Sequence, residues 1–251
     1  YILTHFWRIF HLFDLLFYYK KSLLMKPLGG FKYIFLSEHV RKNSMHYIDL
    51  KKIKNYIVPL PTVFKNFPPS GRNEYVRFAI FGRGDYVMLN KIATALEQKK
   101  VYNNYEIRII GKDYQGLDKF SHITCSSPGV KLPRTEMERQ VADIDIILIV
   151  YDRDKYRLSC SGSVFESMSY AKPIFHFESD CLENYNRAEQ PIGLSARSID
   201  EFADNMVEYI NNYHQHIEQL EQLRNNILDV RNRFTIESSI DEIRASFSWN
   251  E

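Results

Sequence analysis

The chain has 251 residues, with 33 Lys and Arg against 31 Asp and Glu, a formal net charge of +2, and 45% hydrophobic and 25% charged residues. This length can bury a real core as one large or two small domains, and the composition is that of a globular chain rather than a disordered or fibrous one. The near-neutral balance leaves no strongly basic stripe and excludes nucleic acid as an expected partner. Cys125, Cys160 and Cys181 lack CxxC spacing, so they read as free thiols in a reducing compartment and imply no zinc site.

The chain begins without methionine and inside an apolar pattern, which reads as a piece of a longer protein. Residues 5–25 carry Phe6, Trp7, Ile9, Phe10, Leu12, Phe13, Leu15, Leu16 and Phe17 without Gly or Pro, and predict a helix. Arg8, His11 and Asp14 form a narrow polar stripe that interrupts any signal-peptide pattern and makes a membrane span costly. Such a helix is expected to pack on protein outside this chain, with peripheral membrane contact as the alternative, and the expected location is the cytoplasm or its membrane face. After Gly29-Gly30 a strand is predicted over 33–36, a polar helix over 37–47 and a strand over 57–60 between prolines. KNFPPSGRNE, residues 65–74, has the composition of a linker. The expected division is therefore 1–64, the linker 65–74, a regular domain over 75–213, and helices over 214–251.

From Tyr75 the pattern alternates. Apolar runs of strand length at 76–81, 106–110, 144–150 and 173–177 are separated by helical spacing such as Leu89, Ile92, Ala93 and Leu96, and 123–125 adds a short strand. This predicts an α/β fold with a parallel sheet covered on both faces and ligands at the carboxyl ends of the strands. Thr135 with Glu138, Ser163 with Glu166, and Ser198 with Glu201 each have capping-box spacing.

The most informative stretch is YRLSCSGSVFESMSYAKPIFHF, residues 156–177. A loop of small residues from Ser159 to Ser163 leads into a helix carrying Glu166, and Lys172-Pro173 ends that helix before a strand. A helix start behind Ser-Gly-Ser can receive an anion, most often a phosphate, on its free amides and dipole. On spacing alone a helix-capping carboxylate is the commoner role for Glu166. Gly82-Arg83-Gly84-Asp85-Tyr86 follows the first strand of the regular region, where the guanidinium fork of Arg83 suits phosphate oxygens, although taken alone it reads as a solvated loop residue. Asp152-Arg153-Asp154 is a competing pattern that could hold a divalent ion against a diphosphate, but Asp143-Ile144-Asp145 shows how cheaply such spacing arises.

Taken together, Arg83 in its glycine turn, the strand after Ala142-Asp143, Ser161-Gly162-Ser163, Glu166 and Ala171-Lys172-Pro173 resemble the donor-binding segment of retaining glycosyltransferases of the GT-B fold. Asp85-Tyr86 and Tyr156 resemble a bacterial subset of that family. The resemblance implies a Rossmann-like carboxyl-terminal domain with the remnant of a second α/β, acceptor-binding domain before it. It implies transfer of a sugar from a nucleotide-sugar donor to a glycan or lipid-linked acceptor in surface polysaccharide synthesis, without a metal cofactor. In it Arg83, Tyr156, Ser161, Gly162 and Ser163 would line the diphosphate and sugar, and Glu166 would hold the ribose. The chain departs from the family at Leu158, eight positions before Glu166, where many members carry a second glutamate near the sugar. Two other classes stay open on the sequence: a nucleotide-sugar epimerase of the same fold and a non-catalytic nucleotide-binding module.

Overall fold

The computed structural model describes residues 32–65, 67, 73–81, 85–111, 116–125 and 132–247. The helix expected over 5–25, Gly82, Arg83 and Gly84 lie outside these residues, as does most of the expected linker over 65–74.

The first element pair is a two-stranded parallel sheet of β1 (Lys32–Phe35) and β2 (Lys54–Ile57), joined through helix α1 (Glu38–Ser44). Ser37 caps α1 by accepting from Val40 N, and Phe35, Val40, Ile48, Leu50 and Ile53 form its small core. The second strand lies earlier than the 57–60 expected from its prolines. The cause is register: Ile57 is the last residue opposite Phe35, and Pro59 and Pro61 cannot extend the ladder.

The regular region is a six-stranded parallel sheet in the order β5-β4-β3-β6-β7-β8. Its strands are β3 (Arg77–Phe81), β4 (Glu106–Ile110), β5 (Ile123–Cys125), β6 (Ile146–Ile149), β7 (Ile174–Phe177) and β8 (Gly193–Ala196). The first five match the predicted runs closely, whereas β8 was not predicted. Its sequence, Gly-Leu-Ser-Ala, is short and poorly apolar, and pairing with β7 decides it. Gly193 is required there, since an added Cβ would lie 1.7 Å from the Ile174 carbonyl oxygen.

Period-two alternation divides the core between the sheet faces. Phe78 and Ile80 meet helices α2 (Tyr86–Glu97) and α6 (Ile199–Asn211) through Leu89, Ile92, Phe202 and Met206. Ala79 and Phe81 belong to the opposite core with α3 (Arg134–Val141), α4 (Gly162–Ser169) and α7 (Ile217–Arg231), through Val141, Val164, Met168 and Ile227. Short α5 (Asp180–Glu183) follows β7. The last segment returns to the first sheet: Thr62 N donates to Phe234 O at 2.7 Å, Arg231 lies over the Phe64 ring, and α8 (Ile240–Phe247) packs against β2. Among the described residues no helix is long and apolar enough to cross a membrane.

Two of the three expected capping boxes do not form. At Thr135 the cap is Pro133, without a side-chain bond, and Glu138 pairs with Lys65 and Arg134. At Ser163 the helix has already begun, because Ser161 is the cap residue. The third does cap: Ser198 accepts from Glu201 N, while the Glu201 carboxylate accepts from Arg197 N.

Candidate functional site

The strand order reverses between β3 and β6, so the chain leaves these neighbouring strands toward opposite faces, and open α/β sheets bind ligands at the carboxyl ends of such a switch. β3 ends at Phe81 and α2 begins at Tyr86, and the loop after β6 runs from Val150 to Ser161. Tyr156, Ser161, Gly162, Ser163 and Glu166 are thus placed at or just behind one end of the sheet.

Helix α4 starts without an acceptor of its own. The Ser161 side chain makes no capping bond, and no acidic residue occupies the first turn. Ser161 is completely buried, and its Oγ lies beside the Tyr151 hydroxyl without a well-formed hydrogen bond among the described residues. The Tyr185 hydroxyl is likewise buried without a well-formed hydrogen bond among the described residues, beside the Cys160 thiol. Buried polar groups are ordinarily satisfied, so these hydroxyls and the uncapped helix start leave hydrogen-bonding capacity that water or a ligand can meet. Gly162 adds to this. A Cβ there would meet nothing within 4 Å, so packing of the chain does not demand glycine at this position.

Glu166 lies one turn into α4 and is bound by Arg134 Nη1 at 2.5 Å. Arg134 also reaches Glu138 and lies over the Tyr170 ring. Sequence reasoning missed Arg134; only the approach of α3 to α4 brings it beside Glu166. The pair is partly exposed, with 47% and 25% of the side-chain surfaces accessible, so Glu166 remains reachable by a ligand hydroxyl. Leu158 is half-buried in the loop after β6 and supplies no carboxylate.

Tyr156 adopts φ 66°, a left-handed conformation unusual for a bulky residue. Its ring meets Tyr151 edge-on, and Lys155 lies over both rings. Burial raises the Tyr156 and Tyr151 hydroxyls above their ordinary range, so both stay neutral donors at physiological pH. Burial also pushes Cys181 up to about 12, which leaves it an inert thiol.

Asp152 and Asp154 do not converge. The Asp152 carboxylate accepts from Asp154 N within its own turn, and Asp154 faces Arg157 at 3.7 Å. No group of three or more potential metal ligands occurs among the described residues. Asp85 caps α2 by accepting from Met88 N at 3.0 Å.

The Ala171-Lys172-Pro173 string has a structural account. Ala171 stands at φ 50°, the Ala171 and Lys172 amides donate to Met168 O and Ser167 O, and the helix thereby stops in a Schellman motif. The Lys172 ammonium is buried and donates to Ala142 O and Ile144 O, tying β7 to the start of β6; burial lowers its pKa to about 8.

This arrangement has counterparts among solved structures. The lipopolysaccharide outer core galactosyltransferase WaaB, in its apo form, superposes with a TM-score of 0.59 at 14% identity over 85% of this chain and 60% of its own. A point mutant of S. aureus TarM, in complex with fondaparinux, alpha-GlcNAc-glycerol and UDP, gives 0.63 at 14% identity over 86% and 43%. A glycosyltransferase from Rickettsia africae ESF-5 gives 0.60 at 12% identity over 90% and 65%. The chain has the GT-B glycosyltransferase fold. It spans between 43% and 65% of the length of these GT-B neighbours. No family model and no curated protein sequence matches it.

Proposed function

We propose that this GT-B chain is the donor-binding part of a glycosyltransferase that moves a sugar from a nucleotide-sugar to a glycan or lipid-linked acceptor of a surface polysaccharide, with retention at the anomeric carbon. The observation that carries the reading is the uncapped start of α4, with the buried Ser161 hydroxyl, at the switch in strand order between β3 and β6. The first-turn amides would receive the diphosphate, and Arg83 would approach it from the loop after β3. These donors stabilise the negative charge that grows on the leaving diphosphate as the sugar departs. Glu166 would exchange its bond with Arg134 for the ribose hydroxyls, and Tyr156 would border the sugar. With cationic and amide donors on the phosphates, binding needs no divalent ion.

Calorimetric titration of UDP, GDP and ADP tests this. One of them should bind with and without a chelator, and Glu166→Ala should weaken it by roughly 1.5 to 3 kcal/mol, the worth of a hydrogen bond to a charged group. Loss of binding in EDTA, reproduced by Asp152→Asn, would return the site to the paired aspartates. Equal affinities for the wild type and Glu166→Ala would remove that carboxylate from the site.

A further inference from the structure

The polar links from α1 to the large domain converge on the loop after β6 and the start of the segment after β7. His39 is 5% exposed, and its Nε2 lies 3.2 Å from Tyr156 O and 3.1 Å from Ser159 O. Carbonyls only accept, so Nε2 carries the proton, and Nδ1 is free to accept from the Ser37 hydroxyl at 2.7 Å. One turn later Asn43, 4% exposed, donates from Nδ2 to Arg157 O at 3.1 Å and to Asp180 Oδ2 at 3.0 Å. Cys160 packs against the core of the small sheet and points its thiol at Leu36 O.

We propose that His39 and Asn43 are positioning residues for the donor site, forming a latch by which the small sheet and α1 set the shape of the 156–160 loop. The inference rests on the donor-site reading above. Three features carry it. The latch grips three backbone carbonyls of one loop, so it fixes the path of the loop whatever its side chains. It grips Tyr156 at the residue whose left-handed backbone must be imposed from outside. Its last grip, on Ser159 O, lies two residues before Ser161, which precedes α4, so the latch borders the helix start that would receive phosphate. Through Asp180 the same helix ties the loop after β7 to the loop after β6. The shape of the donor seat therefore depends on α1 staying docked against this loop.

His39→Ala, His39→Gln and Asn43→Ala in this chain test the latch, with nucleotide titration and hydrogen exchange read together. His39→Ala should weaken the nucleotide that the wild type binds about tenfold, on the order of one lost hydrogen bond. Exchange should accelerate over 156–162 while β6 and β7 keep their protection. His39→Gln should recover part of both effects, because its amide can donate to the same carbonyls. Should His39→Ala not fold, Asn43→Ala carries the test. Unchanged exchange over 156–162 in both alanine variants, or acceleration spread evenly over the sheet, overturns the latch. A wild type that binds none of UDP, GDP and ADP would overturn the donor reading instead, and exchange alone would then decide whether α1 holds the loop.

Discussion

The two ends of the six-stranded sheet treat their polar groups in opposite ways. At the amino ends of the strands the charges are matched, although Arg77 Nε and Gln140 Oε1 are buried there without a hydrogen-bond partner among the described residues. Arg108 bridges Glu106 and Asp143, Arg77 joins Asp143, and buried Asp145 accepts from Asn73, Arg77 N and the Tyr213 hydroxyl. At the carboxyl ends Tyr151, Ser161 and Tyr185 keep buried hydroxyls without well-formed hydrogen bonds among the described residues, and a helix begins uncapped. A cleft of about 260 Å³ does open at the amino end, bordered by Tyr75, Asn104, Asn212 and His214. Yet Asn212 already donates to Glu208, and the neighbouring Asn103 and Asn211 bond the backbone around them. Matched charge at one end and an uncapped helix start at the other, more than concavity, separate the two ends of the sheet.

The contrast can be broken first at the stabilising end. Asp145→Ala would leave the Tyr213 hydroxyl, Asn73 amide and Arg77 N–H without their acceptor, and should cost about 3 kcal/mol or more in urea unfolding with little change in nucleotide affinity. Next in size is a pH effect within β7. His176 is fully enclosed, donates from Nδ1 to Phe177 O and accepts from Asn186, and burial lowers its pKa to about 4. The unfolded chain takes up this proton near its ordinary value, about 6.5. The contribution is therefore complete above pH 6.5 and is lost as pH falls toward 4. Urea unfolding at pH 7 and pH 4.5 should differ by about 2 kcal/mol from this group, and His176→Gln should flatten that part of the slope.

At the ligand end the ordering reverses, with small effects on stability and large ones on binding. Gly162→Ala meets no steric obstacle in the chain and should leave the unfolding midpoint nearly unchanged, within about 0.5 kcal/mol. It should nevertheless weaken nucleotide binding by tenfold or more, about 1.4 kcal/mol, by placing a methyl group against the phosphates. Equal affinity would show that the ligand does not approach this helix start. The smallest expected change is a gain: Ala171→Gly relieves a left-handed alanine at the end of α4 and should stabilise the protein by about 0.5 to 1 kcal/mol in thermal unfolding.

Local pattern was enough to determine the alternating elements. The runs at β3, β4, β5, β6 and β7, the helices between them and the stop at Ala171-Lys172-Pro173 are legible because apolar period and backbone punctuation act over a few residues. The Ser161-Gly162-Ser163 loop ahead of a helix was legible for the same reason, whereas the roles expected of these residues and of Glu166 came from the resemblance. Tertiary structure decided what spacing cannot carry. The box expected between Ser163 and Glu166 gave way to a cap residue at Ser161 and a bond from Arg134, because the packing of α3 against α4 supplies a stronger partner for the carboxylate than a backbone amide. β8 exists because Gly193 lets its backbone lie against β7, a requirement invisible in four weakly apolar residues. His39 and Asn43, more than a hundred residues before the loop they hold, bear no local mark at all, since a hydrogen bond to a distant carbonyl is a property of the folded chain and leaves no period in the sequence.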